Sequence, residues 1–271
     1  MIGSSLLEHY EDHWETEMGA WFPGERVVVR GEDLFNSFKS SGWMEYLLFV
    51  ITGKRDAKLA GLIESIWVYC TSFPDPRLWN NRVAMLASTA GSTGVLGISA
   101  GIAVSEAKVY GLKPIKGASD LFIKIKKKTD EGFLLSEVVD EEMRIHKVVY
   151  GYGRPLASCD ERIAPTISLA KELGYASGYY LNQALEIEKI LYKKYKMKMN
   201  IAAVYSALML DAGLSVEDTY YLACLSFSAG MFAPFIEAQE KPLGTFFPLR
   251  VSRVNYEGVE GHRVWGNKND K

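Results

Sequence analysis

Apolar residues recur at three- and four-residue spacing along most of the chain, the mark of helices that each bury one face. Strand-like alternation is scarce. The best strand candidate is ERVVVRG, Glu25 to Gly31, a short apolar run closed by glycine. GEDLFNSFKSSGWMEYLLFVITG then predicts two short helices with a break near Gly42. DAKLAGLIESIWVYCTSF predicts a helix that Asp56 caps and Pro74 ends. IAPTISLAKELG runs to Gly174, a natural C-terminal cap. GYYLNQALEIEKILYKKYKM is amphipathic over about five turns. NIAAVYSALMLDAG predicts another helix, and SVEDTYYLACLSFSAGMFAPFIEAQEK predicts one long helix with Ser215 as its N-cap. The expected fold class is mainly α.

Two lysine-rich runs, KIKKKTDE (Lys124 to Glu131) and KILYKKYKMKMN, fit solvated helix ends, where cations suit the helix dipole. The polar end EGHRVWGNKNDK is expected to fray. Val83 to Ser105 carries no charge and is long enough to span a bilayer, but it is mostly Ala, Gly, Ser and Thr. Small residues let helices approach closely, so buried, tightly packed helices are the expectation, with no membrane partner.

The 271 residues suffice for one large domain or two modest ones. A net charge of −2 supplies no concentrated basic face, so no nucleic-acid partner is expected. Cys70, Cys159 and Cys224 are odd in number and widely spaced, which argues against a disulfide framework or a zinc site; no metal is expected. The acidic N-terminal stretch lacks the apolar core of a signal peptide, and a cytoplasmic location is expected.

The richest chemistry lies in VVYGYGRPLASCDER, Val148 to Arg162. Its glycines expose backbone N–H groups and its two arginines suit an anion, yet nothing in it obviously moves a proton. Together with four other stretches in order, this loop resembles the citrate synthase superfamily. VVVRGEDLFNSFKSSGWMEYLLFVITG is similar to the family's N-terminal pattern. NNRVAMLASTAGSTGVLGISAGIAVSEAKVYGLKPIKGASD is similar to its Ala-Ser-Thr helix, its small-residue helix and the turn into its first histidine motif. GYGRPLASCDER resembles its glycine loop, second histidine and Asp-Pro-Arg. NIAAVYSALMLDAG resembles its Asn-Val-Asp segment, and LRVSRVNYEG its closing Arg-Pro and Tyr-x-Gly. The chain length is nearer that of citryl-CoA lyases than of full citrate synthases.

The resemblance implies two helical domains. Met1 to Lys113 with Leu214 to Lys271 would form the large one, and Pro114 to Gly213 the smaller inserted one, with the ligand in the cleft between them. It also implies a homodimer through large-domain helices. The implied chemistry makes or breaks a C–C bond between an acyl-CoA and a carboxylic or keto acid, so a coenzyme A thioester and an organic acid are the expected small-molecule partners. A carboxylate would take a proton from the acyl methyl group, and histidines would stabilise the enol and polarise the acid's carbonyl.

Carried over position by position, the catalytic groups are not matched. The first histidine falls at Ile115, the second at or beside Arg154 and the aspartate at Ala202. A family Asp-His falls near Pro74 to Pro76, and an arginine of the penultimate helix near Phe227. His9, His13, His146 and His262 match no family motif. Arg162 matches the Asp-Pro-Arg arginine, and Arg250 and Arg253 lie where the terminal arginine belongs. Tyr150, Gly151, Tyr152 and Gly153 match the coenzyme A loop.

Substitute catalytic groups are therefore sought among Asp120, Lys116, Arg154 and Cys159. Asp120 is a candidate acid or base, Lys116 and Arg154 are candidate oxyanion stabilisers, and Cys159 is a candidate acyl acceptor. Each also has a plain structural role open to it: a cap for Asp120, surface charge for Lys116 and Arg154, an inert thiol for Cys159. The leading expectation is an enzyme with altered chemistry on a CoA thioester; the alternatives are an inactive homologue that binds a CoA ester or organic acid or partners an active subunit, and the same fold with an unrelated ligand.

Overall fold

The computed structural model describes residues 3–108, 110–154 and 159–258. The expected frayed segment Glu260 to Lys271, with His262, lies outside them. The described chain is mainly α, as the spacing predicts. Its small sheet is richer than the one predicted strand. β1 (Gly19–Phe22), β2 (Arg26–Val29) and β3 (Glu32–Asp33) pair antiparallel in chain order. The Arg-Gly pair after β2 turns the chain with positive φ at both residues. Arg30 then donates from Nε and Nη2 to the carbonyls of Val50 and Ile51 at 2.9 Å each, holding the sheet to the next helices.

α2 (Leu34–Ser37) and α3 (Trp43–Thr52) break at Gly42 as expected, with Gly53 closing α3 in the left-handed region. α4 (Ala57–Cys70) starts at Asp56, whose carboxylate accepts from the Leu59 N–H at 2.9 Å. The uncharged stretch folds as α5 (Trp79–Thr89) and α6 (Gly94–Val104), parted by a turn at Gly91. It is only half-buried, contrary to the expectation. Gly97 and Gly101 bring α6 against a later helix, while Val95 and Leu96 face outward.

α7 (Leu112–Asp130) and α8 (Leu135–His146) follow. Three of the four lysines of the first charge run pair with carboxylates: Lys124 with Glu142 and Lys128 with Glu141 on α8, Lys126 with Asp130 on α7 itself. His146 is exposed, 3.8 Å from Glu142. α9 (Ile163–Leu173) ends on Gly174 and α10 (Tyr179–Tyr195) carries the second lysine run.

α11 (Ile201–Asp211) is buried on every side: each residue from Ala202 to Leu210 is buried. A helix apolar all round belongs at the centre of a fold, and α7, α9, α10 and α12 (Val216–Ala223) pack around this one. The main core runs continuously from α3 and α4 through α7 to α12. A second, small core joins α5 and α6 to α13 (Ser228–Gln239) through Ala84, Ile98, Met231 and Phe235.

The expected single helix from Ser215 to the end of α13 is two helices. Ser215 caps α12 as predicted, accepting from the Asp218 N–H at 3.0 Å. The chain then turns through 224–227, where Ser226 and Ser228 bond to carbonyls three residues back. Gly230 sits so close to the Ser72 carbonyl that a Cβ has no room, and its N–H bonds Thr71 Oγ1 at 2.7 Å. This anchor redirects the chain, a tertiary effect that helical periodicity does not contain. Val216–Gln239 has the length and apolarity to cross a membrane, but here it is these two helices, each partly packed in a core.

The glycine loop is tied to the connection between α10 and α11. Gly151 has φ near 87°, its carbonyl accepts from the Asn200 N–H at 2.9 Å, and a Cβ there would lie 2.8 Å from that of Ala203. Both the left-handed backbone and the crossing require glycine. Gly151→Ala is expected to lower the unfolding free energy by about 1–3 kcal/mol, measurable by urea denaturation; an unchanged midpoint would show that the crossing relaxes freely.

Candidate active-site cavity

A cavity of about 290 Å³ opens where several helices begin. Leu78 and Trp79 bring the start of α5, and Gly111, Pro114 and Ile115 the start of α7. Arg162 caps α9, Asn200, Ile201 and Ala202 open α11, and Phe227 opens α13. Each helix start carries roughly half a positive charge from unpaired N–H groups. Ile66, Trp67 and Cys70 of α4 with Tyr205 of α11 close the apolar side.

Asp160 organises the charged side. It is buried and accepts from Arg162 Nε at 2.8 Å, Arg162 Nη2 at 2.7 Å and the Ile201 N–H at 2.9 Å. Arg162 also lies 5.7 Å from the Phe73 ring. Burial pushes the Asp160 carboxyl up, but the Arg162 hydrogen bonds and charge with the Ile201 N–H outweigh it and hold it below the usual range. Arg154 donates from Nη1 to Glu161 at 2.7 Å and to the Cys159 carbonyl at 2.9 Å. Arg77 pairs with Asp75 at 2.6 Å. Among the described residues, Arg162 Nη1 and the Nε and Nη2 of Arg154 have no partner.

Tyr110 lies between Trp79 and Phe227, with ring centroids 5.5 and 5.8 Å away. Its hydroxyl donates to Asn80 Oδ1 at 3.2 Å, and burial raises its pKa. Burial also pushes the Cys70 thiol up to about 12, against the pull of Arg162. Both groups stay protonated at neutral pH.

Of the five places where the family resemblance would put catalytic groups, Ile115, Arg154, Ala202 and Phe227 face this one cavity, while Pro74 to Pro76 are not on its lining. Arg162 and Gly153 face it too. The other sequence candidates are placed elsewhere. Lys116 and Asp120 are exposed on α7, 3.6 Å apart, with Glu217 3.5 Å from the lysine. Cys159 is exposed and does not line the cavity. Arg250 and Arg253 are exposed on the turn Val251–Arg253, also off the lining.

In the glycine loop, Tyr152 is buried and its hydroxyl donates to the Ala184 carbonyl at 2.8 Å. Tyr150 covers Gly117 and Gly151 crosses α11, so three of the four loop residues build the scaffold and Gly153 reaches the cavity. Pro155 to Ser158 lie outside the described residues. Trp79, Tyr110, Cys70 and Arg77 were not singled out by sequence. PDPR held the only signal for Arg77, while the two aromatics read as ordinary core positions.

Because the folded Asp160 titrates below its unfolded value of about 3.9, its stabilisation is complete above that value and disappears as pH falls through the depressed one. Removing it would leave Arg162 half-buried without its counter-charge. Asp160→Asn is therefore expected to cost about 3–5 kcal/mol at neutral pH and to flatten the acid limb of stability; thermal melts from pH 7 to pH 3 check both, and equal slopes for the two proteins would refute the pairing's role.

No protein-family model matches the chain. No curated protein matches it by sequence. Solved structures do. Citryl-CoA lyase from Hydrogenobacter thermophilus superposes with a TM-score of 0.78 at 16% identity, covering 93% of this chain and 97% of that one. ATP citrate lyase from Methanosaeta concilii, solved with (3S)-citryl-CoA, gives 0.75 at 19% identity over 96% of this chain but 45% of its own. Citrate synthase from Thermoplasma acidophilum, solved with carboxymethyl coenzyme A and oxaloacetate, gives 0.61 at 17% identity, covering 83% and 59%. These superpositions agree: the chain has the citrate synthase fold.

Proposed function

We propose that this chain binds a coenzyme A thioester or a small organic acid in the cavity and holds it without abstracting a carbon-bound proton. One observation carries this reading. Ile115, Ala202 and Phe227 occupy the places where the resemblance would put proton-moving or carboxylate-gripping groups, while Cys70 and Tyr110 beside them stay protonated. What faces a ligand is therefore a pair of cationic donors, Arg154 and Arg162, with the positive ends of several helices behind them. Such donors stabilise a carboxylate or thioester oxygen. The solved neighbours of the same fold that hold citryl-CoA or carboxymethyl coenzyme A support the ligand class.

Arg154 favours a second reading, an acyl-CoA lyase or transferase with altered catalytic groups. Its Nε and Nη2 edge beside Gly153, unpaired among the described residues, is suited to an enolate oxygen. In that reading Asp120, Lys116 or Cys159 would have to move inward from where they stand. The two-domain division at 113/114 and 213/214 belongs to both readings, with wall residues drawn from each part, such as Trp79 and Phe227 from one and Ile115 and Arg162 from the other. A cytoplasmic homodimer through α5, α6 and α13 is part of the same proposal. Leu86, Val95, Leu96, Phe232 and Ile236 are exposed there, and sedimentation at micromolar concentration is expected to show a dimer; a monomer removes that element.

Calorimetry with acetyl-CoA is expected to show binding, and mass spectrometry no exchange of solvent deuterium into its methyl group. Arg154→Ala is expected to weaken binding about 10- to 100-fold, the range of a lost charged hydrogen bond, with an unchanged melting temperature. Deuterium exchange that vanishes in Arg154→Ala would establish the enzyme reading instead.

A further inference from the structure

The charge balance and wall chemistry of the cavity point to its acyl group, an inference that rests on the ligand class proposed above. Three arginines face the cavity, and each already has a carboxylate: Arg77 with Asp75 at 2.6 Å, Arg154 with Glu161 at 2.7 Å, and Arg162 with Asp160 at 2.7 Å. Three cations against three anions leave the ring formally neutral. A ligand with further free carboxylates would bring net negative charge against a largely apolar wall, with only helix-start dipoles to meet it.

The opposite wall is aromatic and aliphatic. Trp79, Tyr110 and Phe227 form a row of rings, and Ile66, Leu78 and Ile115 fill the space beside them. Benzene occupies an apolar cavity of about 150 Å³. About 290 Å³ therefore holds one ring or a short branched chain together with its carbonyl group. The Nε and Nη2 edge of Arg154 and the Nη1 of Arg162, unpaired among the described residues, stand at the polar side of this space. A neutral carbonyl oxygen accepts from them without adding charge.

We propose that the cavity takes a coenzyme A thioester whose acyl body is uncharged and apolar, aromatic or branched aliphatic, with its thioester carbonyl toward Arg154 and Arg162 and its body against the Trp79–Tyr110–Phe227 row. Replacing Glu161, which is exposed, frees one cation without cutting into the core.

Calorimetry on the full chain with phenylacetyl-CoA, isovaleryl-CoA, succinyl-CoA and coenzyme A alone tests this. Phenylacetyl-CoA or isovaleryl-CoA is expected to bind at least about tenfold more tightly than coenzyme A alone, and succinyl-CoA no more tightly than coenzyme A. E161Q is expected to raise succinyl-CoA affinity severalfold more than that of the apolar thioesters. Succinyl-CoA binding as tightly as phenylacetyl-CoA in the unaltered protein would overturn the acyl assignment while leaving the broader ligand class standing. An E161Q protein with unaltered succinyl-CoA affinity would overturn the charge-balance argument. No binding of any thioester or of coenzyme A would overturn the proposed function itself.

Discussion

The burial of α11 on all sides is the constraint on which the rest depends. A helix with no polar face cannot lie on the surface, so other helices must enclose it. Its end groups still need partners, and those at the N-terminus lie against a cavity. Asn200 accepts from the Ala202 N–H and Asp160 from the Ile201 N–H, so the helix start is satisfied by groups that also build the site. Core and site are therefore a single arrangement: the element that anchors the fold also presents its positive end to the ligand space.

Asp160 shows how tightly the two are joined. One carboxylate ties the cap of α9 to the first N–H of α11 and holds Arg162 at the cavity. Asn200 does the same for the glycine loop, donating from its side chain to the Gly153 carbonyl at 2.9 Å. The loop's glycines thus have two physical uses. Gly151 is needed for backbone passage over Ala203, and Gly153 brings main chain to the cavity wall. A glycine-rich stretch with arginines is not in itself a ligand loop; here most of it is structural.

The fold positions donors and an apolar wall around a small volume while proton-accepting groups are spent on neighbours. Asp160 is held ionised by Arg162, Glu161 is engaged by Arg154, and the thiol and phenol at the wall are held neutral by burial. On the proposed reading, such a site suits a bound oxygen acceptor and offers little means of carbon-acid chemistry. Ile115, Ala202 and Phe227 lie on the cavity wall and also pack into or against the core, so their identity bears on the site and on the packing together.

Helical class, most helix positions and the caps at Asp56, Gly174 and Ser215 were legible in the sequence, because each rests on local periodicity or on one side chain meeting a nearby backbone group. Order and spacing of weak motifs indicated the fold, and they marked Ile115, Arg154, Ala202 and Phe227 before any geometry. Other features are non-local. The turn at 224–227 follows from Gly230 lying against Ser72, the outward face of α6 from what α13 leaves uncovered, and the roles of Tyr110 and Trp79 from α5 meeting the start of α7. Lys116 and Asp120 share a sequence neighbourhood with the cavity but are exposed on α7, where helical rotation turns them about 100° and about 140° away from the wall-lining Ile115. Periodicity determined which residues could be buried; only packing among distant segments decided which of them enclose the cavity, because that choice depends on close approaches between residues far apart in the chain.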